Sequence, residues 1–376
     1  MLKKKEEKNS LKVGILLPQS KEYPEIARHF LDGIKLYFTL HPNEFPLGEA
    51  ELVVEDVGFG TERASQEKVR KLITQDDVVI LGGLLQFDTA KYVGITSELA
   101  DVPTLIAGMG ESSIPREELP ENLFFHSLHL WQSTYLLGLK SNAREVVVIT
   151  SLFDTGYDPH RAFRLGLSAS GGEILQEFTL KAYDENELIN EVKNNIQFRD
   201  DVTYALLLHP KLLTYFIDNF GDQIKNMISF PFYEGVQQST KNWAFVNWRQ
   251  EELPSYQLFA KGVADFLETP ITVFHCLGYV HGQMLYKALQ QCEGNENEWK
   301  SVMETWKSFS DDTILGIPVQ NDISPTVNFP ISFFEGQSFA AARVPTEVLT
   351  EYHFVEEDAE DMTLIRNLFT NPYLFF

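Results

Sequence analysis

A short apolar run followed by a segment of helical period recurs along this 376-residue chain, and the same cadence starts a second time near Glu145. In the first half, the runs Lys12–Leu17, Ala50–Glu55, Asp77–Leu81 and Pro103–Ala107 have strand length, are rich in β-branched residues and stop at Pro, Gly or Asp. Helical patterns separate them at 25–40, 62–74 and 89–99. The second half repeats this with Glu145–Ile149, Glu173–Glu177, Tyr204–Leu208, Met227–Phe230 and Trp243–Trp248. Strands alternating with helices demand right-handed crossovers and a mostly parallel sheet buried on both faces. A doubled pattern therefore predicts an α/β protein of two Rossmann-like lobes.

From Leu253 to Phe309 the chain reads as helix without strands, which suits helical cover returning to the first lobe, and 314–344 reads as short strands punctuated by Pro318, Pro325 and Pro330. Three passages between lobes follow, near Leu128, Arg249 and Gly316. The expected division is 11–128 plus 250–316 for the first lobe, 129–249 plus 317–345 for the second, and 346–376 as an acidic and aromatic tail. Six acids between Glu351 and Asp361 and the aromatic finish at Tyr373–Phe376 suit either a segment docked on the protein's own surface or a partner-binding peptide.

Composition excludes several functions. The formal charge is -23, and such a field repels phosphate backbones and anionic lipid surfaces. No apolar run approaches the ~20 residues that a membrane-spanning helix needs. The basic start Met1–Ser10 is not followed by the apolar stretch of a secretory signal, so a trimmed signal and a cytoplasmic protein both stand as expectations. Cys276 and Cys292 bracket one predicted helix and would lie ~24 Å apart along it, too far for a disulfide.

Motifs for catalysis are missing or interrupted. Gly108-Met109-Gly110 follows a strand but lacks the third glycine of a dinucleotide loop, and Pro115 and Pro120 break the helix that should face a phosphate. Ser65-Gln66-Glu67-Lys68 matches a serine-lysine tetrad by letters alone and lies on an amphipathic helix. His126 and His129 are three apart on a predicted strand, which points them to opposite faces and makes them a poor metal pair. No catalytic residue, metal or cofactor is expected. An enzyme using Glu111 or Glu234 as a general base is the reading from another class, and neither acid has a positioned partner in the pattern. What remains is a set of loops at the carboxyl ends of strands, where open α/β sheets bind ligands: Gln19–Tyr23 with Ser20, Gln86-Phe87, Gly110-Glu111-Ser112, Tyr157, His209 and Phe232–Gly235 with Glu234.

The chain resembles the type I periplasmic solute-binding proteins, in the leucine-binding branch that serves branched-chain amino acid transport. The resemblance runs from about Lys12 to Val344 and rests on Lys12–Pro18, Phe30-Leu31-Asp32-Gly33, Leu81-Gly82-Gly83, Pro103–Ala107, Thr155-Gly156-Tyr157 and Tyr233-Glu234-Gly235-Val236. It implies a hinged two-lobed protein that captures a small amino-acid-like ligand for an ABC permease, in the periplasm. A cytoplasmic sensor of amino acids or amides is the alternative within the fold. By position, Glu234 matches the family's ammonium-binding carboxylate and Tyr157 the aromatic that closes over the ligand, while His209 falls where another aromatic is common. The first lobe departs from the family: Leu85-Gln86-Phe87 replaces a serine-rich loop, and Glu111 stands where a ligand carboxylate would be repelled. Gln86, Ser112 and the amides around Gly110 can still donate, so an amide, an amine or an aromatic acceptor stacked on Phe87 fits the change.

Overall fold

The computed structural model describes residues 11–20, 23–42, 50–111, 119–152, 158–182, 184–229, 242–247, 251–291, 299–320, 326–329, 331–336 and 347–349. The first run of elements is β1 (Lys12–Leu17), α1 (Ile26–Leu40), β2 (Glu51–Asp56), α2 (Glu62–Thr74), β3 (Ile80–Leu84), α3 (Phe87–Glu98), β4 (Thr104–Gly108) and β5 (Leu123–Ser127). The second is α4 (Leu130–Lys140), β6 (Glu145–Ser151), α5 (Asp158–Ala169), β7 (Glu173–Leu180), α6 (Glu185–Asn195), β8 (Thr203–Leu207), α7 (Pro210–Phe220), β9 (Asn226–Ser229) and β10 (Asn242–Asn247). Three helices follow, α8 (Pro254–Phe266), α9 (Val273–Leu289) and α10 (Trp299–Lys307), and then β11 (Val319–Gln320), β12 (Thr326–Asn328), β13 (Ile331–Gly336) and β14 (Glu347–Leu349).

Among the described residues these strands form two seven-stranded sheets, in the orders β11-β12-β5-β4-β3-β1-β2 and β14-β13-β10-β9-β8-β6-β7. The core of each is parallel, and the closing strands β11, β13 and β14 pair antiparallel. Every residue of β3, β4 and β5 is buried, as parallel strands covered on both faces require, whereas β2 lies at an edge and exposes three of its six. In that edge strand the buried carboxylate of Glu55 is held by Lys68 and Lys71 of α2.

In each lobe one pair of helices touches backbone to backbone through glycine. A Cβ on Gly278 of α9 would lie 2.0 Å from the Phe30 carbonyl oxygen of α1, and one on Gly33 of α1 would lie 2.3 Å from that of His275. In the second lobe a Cβ on Gly166 of α5 would lie 2.0 Å from the Tyr135 oxygen of α4, and one on Gly138 of α4 would lie 2.5 Å from that of Phe163. Helix α9 is buried on nearly all sides, with its N-terminus fixed by a capping box between Thr272 and His275.

Several expectations shift. The third strand starts at Ile80 rather than Asp77, because Asp77 adopts a left-handed φ of 55° and turns the chain before the strand. The third passage between sheets lies between β12 and β13, not near Gly316. Residues 313–316 instead close a tight turn, with reciprocal backbone bonds of 3.2 and 3.1 Å and Gly316 at φ 95°. Consequently Val319–Gln320 and Thr326–Asn328, expected in the second lobe, join the first sheet through the β12–β5 pairing. Strands of two and three residues between prolines carry no legible period. Glu347–Leu349, expected in the tail, is hydrogen-bonded to β13. The rest of the tail and Cys292 lie outside the described residues, and Cys276 is buried.

Candidate functional site

Loop geometry decides which predicted residues meet. After β1, the Ser20 hydroxyl, on a buried residue, accepts from Tyr23 N at 2.9 Å, and Gln19 N donates to Gly58 O at 2.7 Å, tying this loop to the end of β2. The Tyr23 ring meets Phe274 of α9 edge-on, with centroids 5.3 Å apart. After β3, Gln86 is the N-cap residue of α3, and its Nε2 donates to Thr89 Oγ1 at 3.3 Å, while that hydroxyl donates to Gly60 O at 2.6 Å. Phe87 packs on Phe125, with centroids 6.1 Å apart, against the sheet's own core. Three loops of the first lobe are thus held by local bonds at one end of the sheet.

The loop after β4 reaches the other lobe. Met109 O accepts from Leu130 N at 3.1 Å, Gly110 O from Trp131 N at 2.9 Å and Glu111 O from Asp158 N at 3.2 Å. Because a trans peptide sets its C=O and N–H in opposite directions, the Gly110 and Glu111 amides point away from α4. Gly110 has φ 71°, and a Cβ there would fall 2.7 Å from the backbone of His129 and from Ser127 Oγ. His129 is itself left-handed, with φ 50° and ψ 49°, at the N-cap of α4. Its backbone N–H donates to Ser127 Oγ at 3.2 Å. Glu111 and Asp158 are both only 6% exposed, so two acids are withdrawn from water where the lobes meet.

His209 is buried at the end of β8 as the N-cap residue of α7, ahead of Pro210. Ser112, Tyr157 and Glu234 lie outside the described residues. His129, Ser127 and Asp158 escaped the sequence reading of the site. A histidine in the left-handed region and an aspartate opening a helix leave no trace in the apolar run that contains the first or the loop that precedes the second. His126 and His129 are not two positions of one strand: His126 lies within β5 and is fully buried, and His129 belongs to the crossing.

Beneath this crossing lies a buried histidine pair. His126 Nε2 and His281 Nδ1 are 2.9 Å apart, one donating and the other accepting, and neither residue is exposed. Their outer nitrogens, His126 Nδ1 and His281 Nε2, have no hydrogen-bond partner among the described residues. The His281 ring lies over Gly82, where a Cβ would come within 2.5 Å of Nε2. Burial, and then the nearby His129, pushes His126 down to about 3; burial, and then His126, holds His281 well below its usual value. Among the described residues no group of three or more His, Cys, Asp or Glu side chains could hold a metal ion, and no helix is long and apolar enough to cross a membrane.

No family profile matches the chain. A curated relative, Leu/Ile/Val-binding protein homolog 6 of Brucella abortus, is 23% identical over 190 residues, 49% of this chain and 48% of that protein. The chain thus spans about half the length of the curated relatives it matches. Among solved structures, an ABC-transporter solute-binding protein from Rhodopseudomonas palustris in complex with p-hydroxybenzoic acid superposes with a TM-score of 0.74 at 17% identity, covering 92% of this chain and 98% of that one. The branched-chain amino acid transporter substrate-binding protein LivJ of Streptococcus pneumoniae, in complex with isoleucine, gives 0.68 at 15% identity, covering 91% and 100%. With its two parallel-centred sheets and glycine-packed helix pairs, this chain has the fold of the type I periplasmic binding proteins of ABC transporters, and part of it is similar in sequence to Leu/Ile/Val-binding protein homologues.

Proposed function

We propose that the protein captures a small polar solute between its lobes and delivers it, in the closed form, to an ABC permease. The observation that carries this reading is the meeting of Glu111, after β4 of one sheet, with Asp158, at the start of the helix after β6 of the other. The carboxyl ends of both sheets therefore face one place, where a solute would touch both lobes at once. The reading is binding rather than catalysis, in a periplasmic setting.

The chemistry of that place favours a ligand that donates hydrogen bonds. Two acids out of water on adjoining backbones disfavour a further carboxylate beside them and favour an ammonium, amide or hydroxyl group. Glu234 and Tyr157 of the second lobe serve in this reading as the ammonium partner and the closing aromatic, and His209 as a further ligand contact. Gln86, Ser112 and the amides of Gly110 and Glu111 complete the first-lobe wall with Ser20 and Tyr23. Phe87, packed on Phe125, contributes as a fixed wall.

Thermal denaturation against a panel of isoleucine and other amino acids, amides, polyamines and 4-hydroxybenzoate tests the reading. A true ligand raises the melting temperature progressively, adding about 2.7 kcal/mol of stability at a hundred times its dissociation constant. Glu234→Ala should remove most of the shift caused by an amine ligand and leave that of an aromatic acid in place. A panel in which only carboxylates without an amine or hydroxyl donor stabilise the protein would contradict the assignment.

A further inference from the structure

One loop of the first lobe supplies three consecutive carbonyls to two helices of the second. The amides in a helix's first turn have no partner within the helix, so whatever caps them fixes the helix end. Met109 O and Gly110 O cap α4 at Leu130 and Trp131, and Glu111 O caps α5 at Asp158. These bonds differ in what a relative rotation of the lobes would do to them. Helix α4 follows β5 after only Leu128 and His129, so its first turn stays beside the crossing however the lobes turn. Helix α5 is reached only after α4 and β6, so a rotation of the lobes about the crossing would move its first turn relative to Glu111 more than it moves that of α4.

We propose that this loop is a two-part closure device: the seat of Met109 and Gly110 on α4 is a pivot, and the Glu111–Asp158 backbone bond is a clasp that holds the lobes closed without ligand. The proposal rests on the reading of a protein whose lobes open and close around a solute. Gly110 makes the device compact. Its φ of 71° places successive carbonyls against the second lobe, and its missing side chain lets the loop touch the His129 backbone and Ser127 Oγ. A left-handed residue on each side of the pivot, Gly110 and His129, keeps the bend tight. The clasp is a single neutral backbone bond, strong enough to bias the lobes and weak enough to break in each cycle.

Asp158→Pro tests this, because proline in a helix's first turn keeps the helix while deleting the one N–H donor. Asp158→Asn keeps the donor and removes the charge. Interlobe distances would be measured without ligand by spin labels at Arg63→Cys and Asn194→Cys in a Cys292→Ser background. Arg63 and Asn194 are exposed, one on a helix of each lobe. The proline variant should lower the closed-to-open ratio roughly two- to tenfold, as loss of one ordinary hydrogen bond implies, and the asparagine variant, which keeps the bond and removes one of two neighbouring acids, should not lower it. Equal shifts in both variants, or no shift in the proline variant, overturn the clasp. Should the proline variant not fold, hydrogen exchange in the unsubstituted protein decides: protection of the Asp158 amide without ligand supports the clasp, and exchange at the free-peptide rate overturns it. No solute enters these measurements, so failure to find a ligand leaves their outcome intact.

Discussion

Gly278→Val should be among the most damaging single substitutions in the first lobe, lowering stability by about 3 kcal/mol or more. The obstacle is the Phe30 carbonyl, which a Cβ at 278 would approach to 2.0 Å. Backbone cannot swing aside as a side chain can, so α1 and α9 must separate and every apolar contact between them must lengthen. Phe30, Ile34 and Tyr37 of α1 and Leu277, Val280 and Leu285 of α9 lie in the core that this separation would loosen. Gly166→Val should do the same in the second lobe, against Tyr135. Gly58→Ala gives the contrast: nothing lies within 4 Å of its Cβ and only a positive φ is strained, so about 1 kcal/mol is expected. Urea denaturation midpoints check the order, and a Gly278→Val protein as stable as Gly58→Ala would refute the close helix contact.

Acid should unfold the protein through the His126–His281 pair. Both folded-state values are lowered, so an unfolded chain takes up two protons near the ordinary histidine value of 6.5 that the folded pair refuses down to about 3 for His126. Stability is then full above 6.5 and falls as pH drops below it, by about 1.4 kcal/mol per pH unit for each histidine, or about 4 kcal/mol for the pair by pH 5. His275, pushed down to about 4 by its burial and then by His29 and Arg28, adds to the loss in the same direction. The carboxylates with lowered values, such as Glu177 beside His160, act only below about 4.5, which leaves pH 5–6.5 to the histidines. Acidification also relieves the repulsion within a chain of charge -23, so the comparison is with His126→Leu/His281→Met. That double variant should show a much flatter loss of melting temperature between pH 7 and 5. Equal slopes in the two proteins would exclude the pair as the cause.

Most strands were legible because central parallel strands are continuous apolar runs, and the second helix, Glu62–Thr74, could be read to the residue from its amphipathic period. The crossing was not. From Leu123 to Gly138 every residue is buried, so no alternation marks where strand ends, chain turns and helix begins. Left-handed turns at Asp77, Asp101, His129 and Asn142 use residue types enriched in that region, while the one at Glu268 does not. Gly33 was visible as part of a family pattern, but its physical reason, the backbone of α9, is supplied by a segment far along the chain. For the candidate site, local positions were legible as loops after strands. The partnership of Glu111 with Asp158 was not, since it depends on how two independently patterned sheets are set together.

The late pairing of α9 with α1 also governs how the chain can come into being. A ribosome that has made β1 to β5 has supplied five strands of the first sheet and the apolar face of α1, yet not the helix that covers that face, and the sheet's remaining strands come only after the central strands of the second. The first lobe is begun early and completed near the end of synthesis, so its folding depends on contacts of very high sequence separation. A fragment ending at Leu128 carries a core with one wall missing.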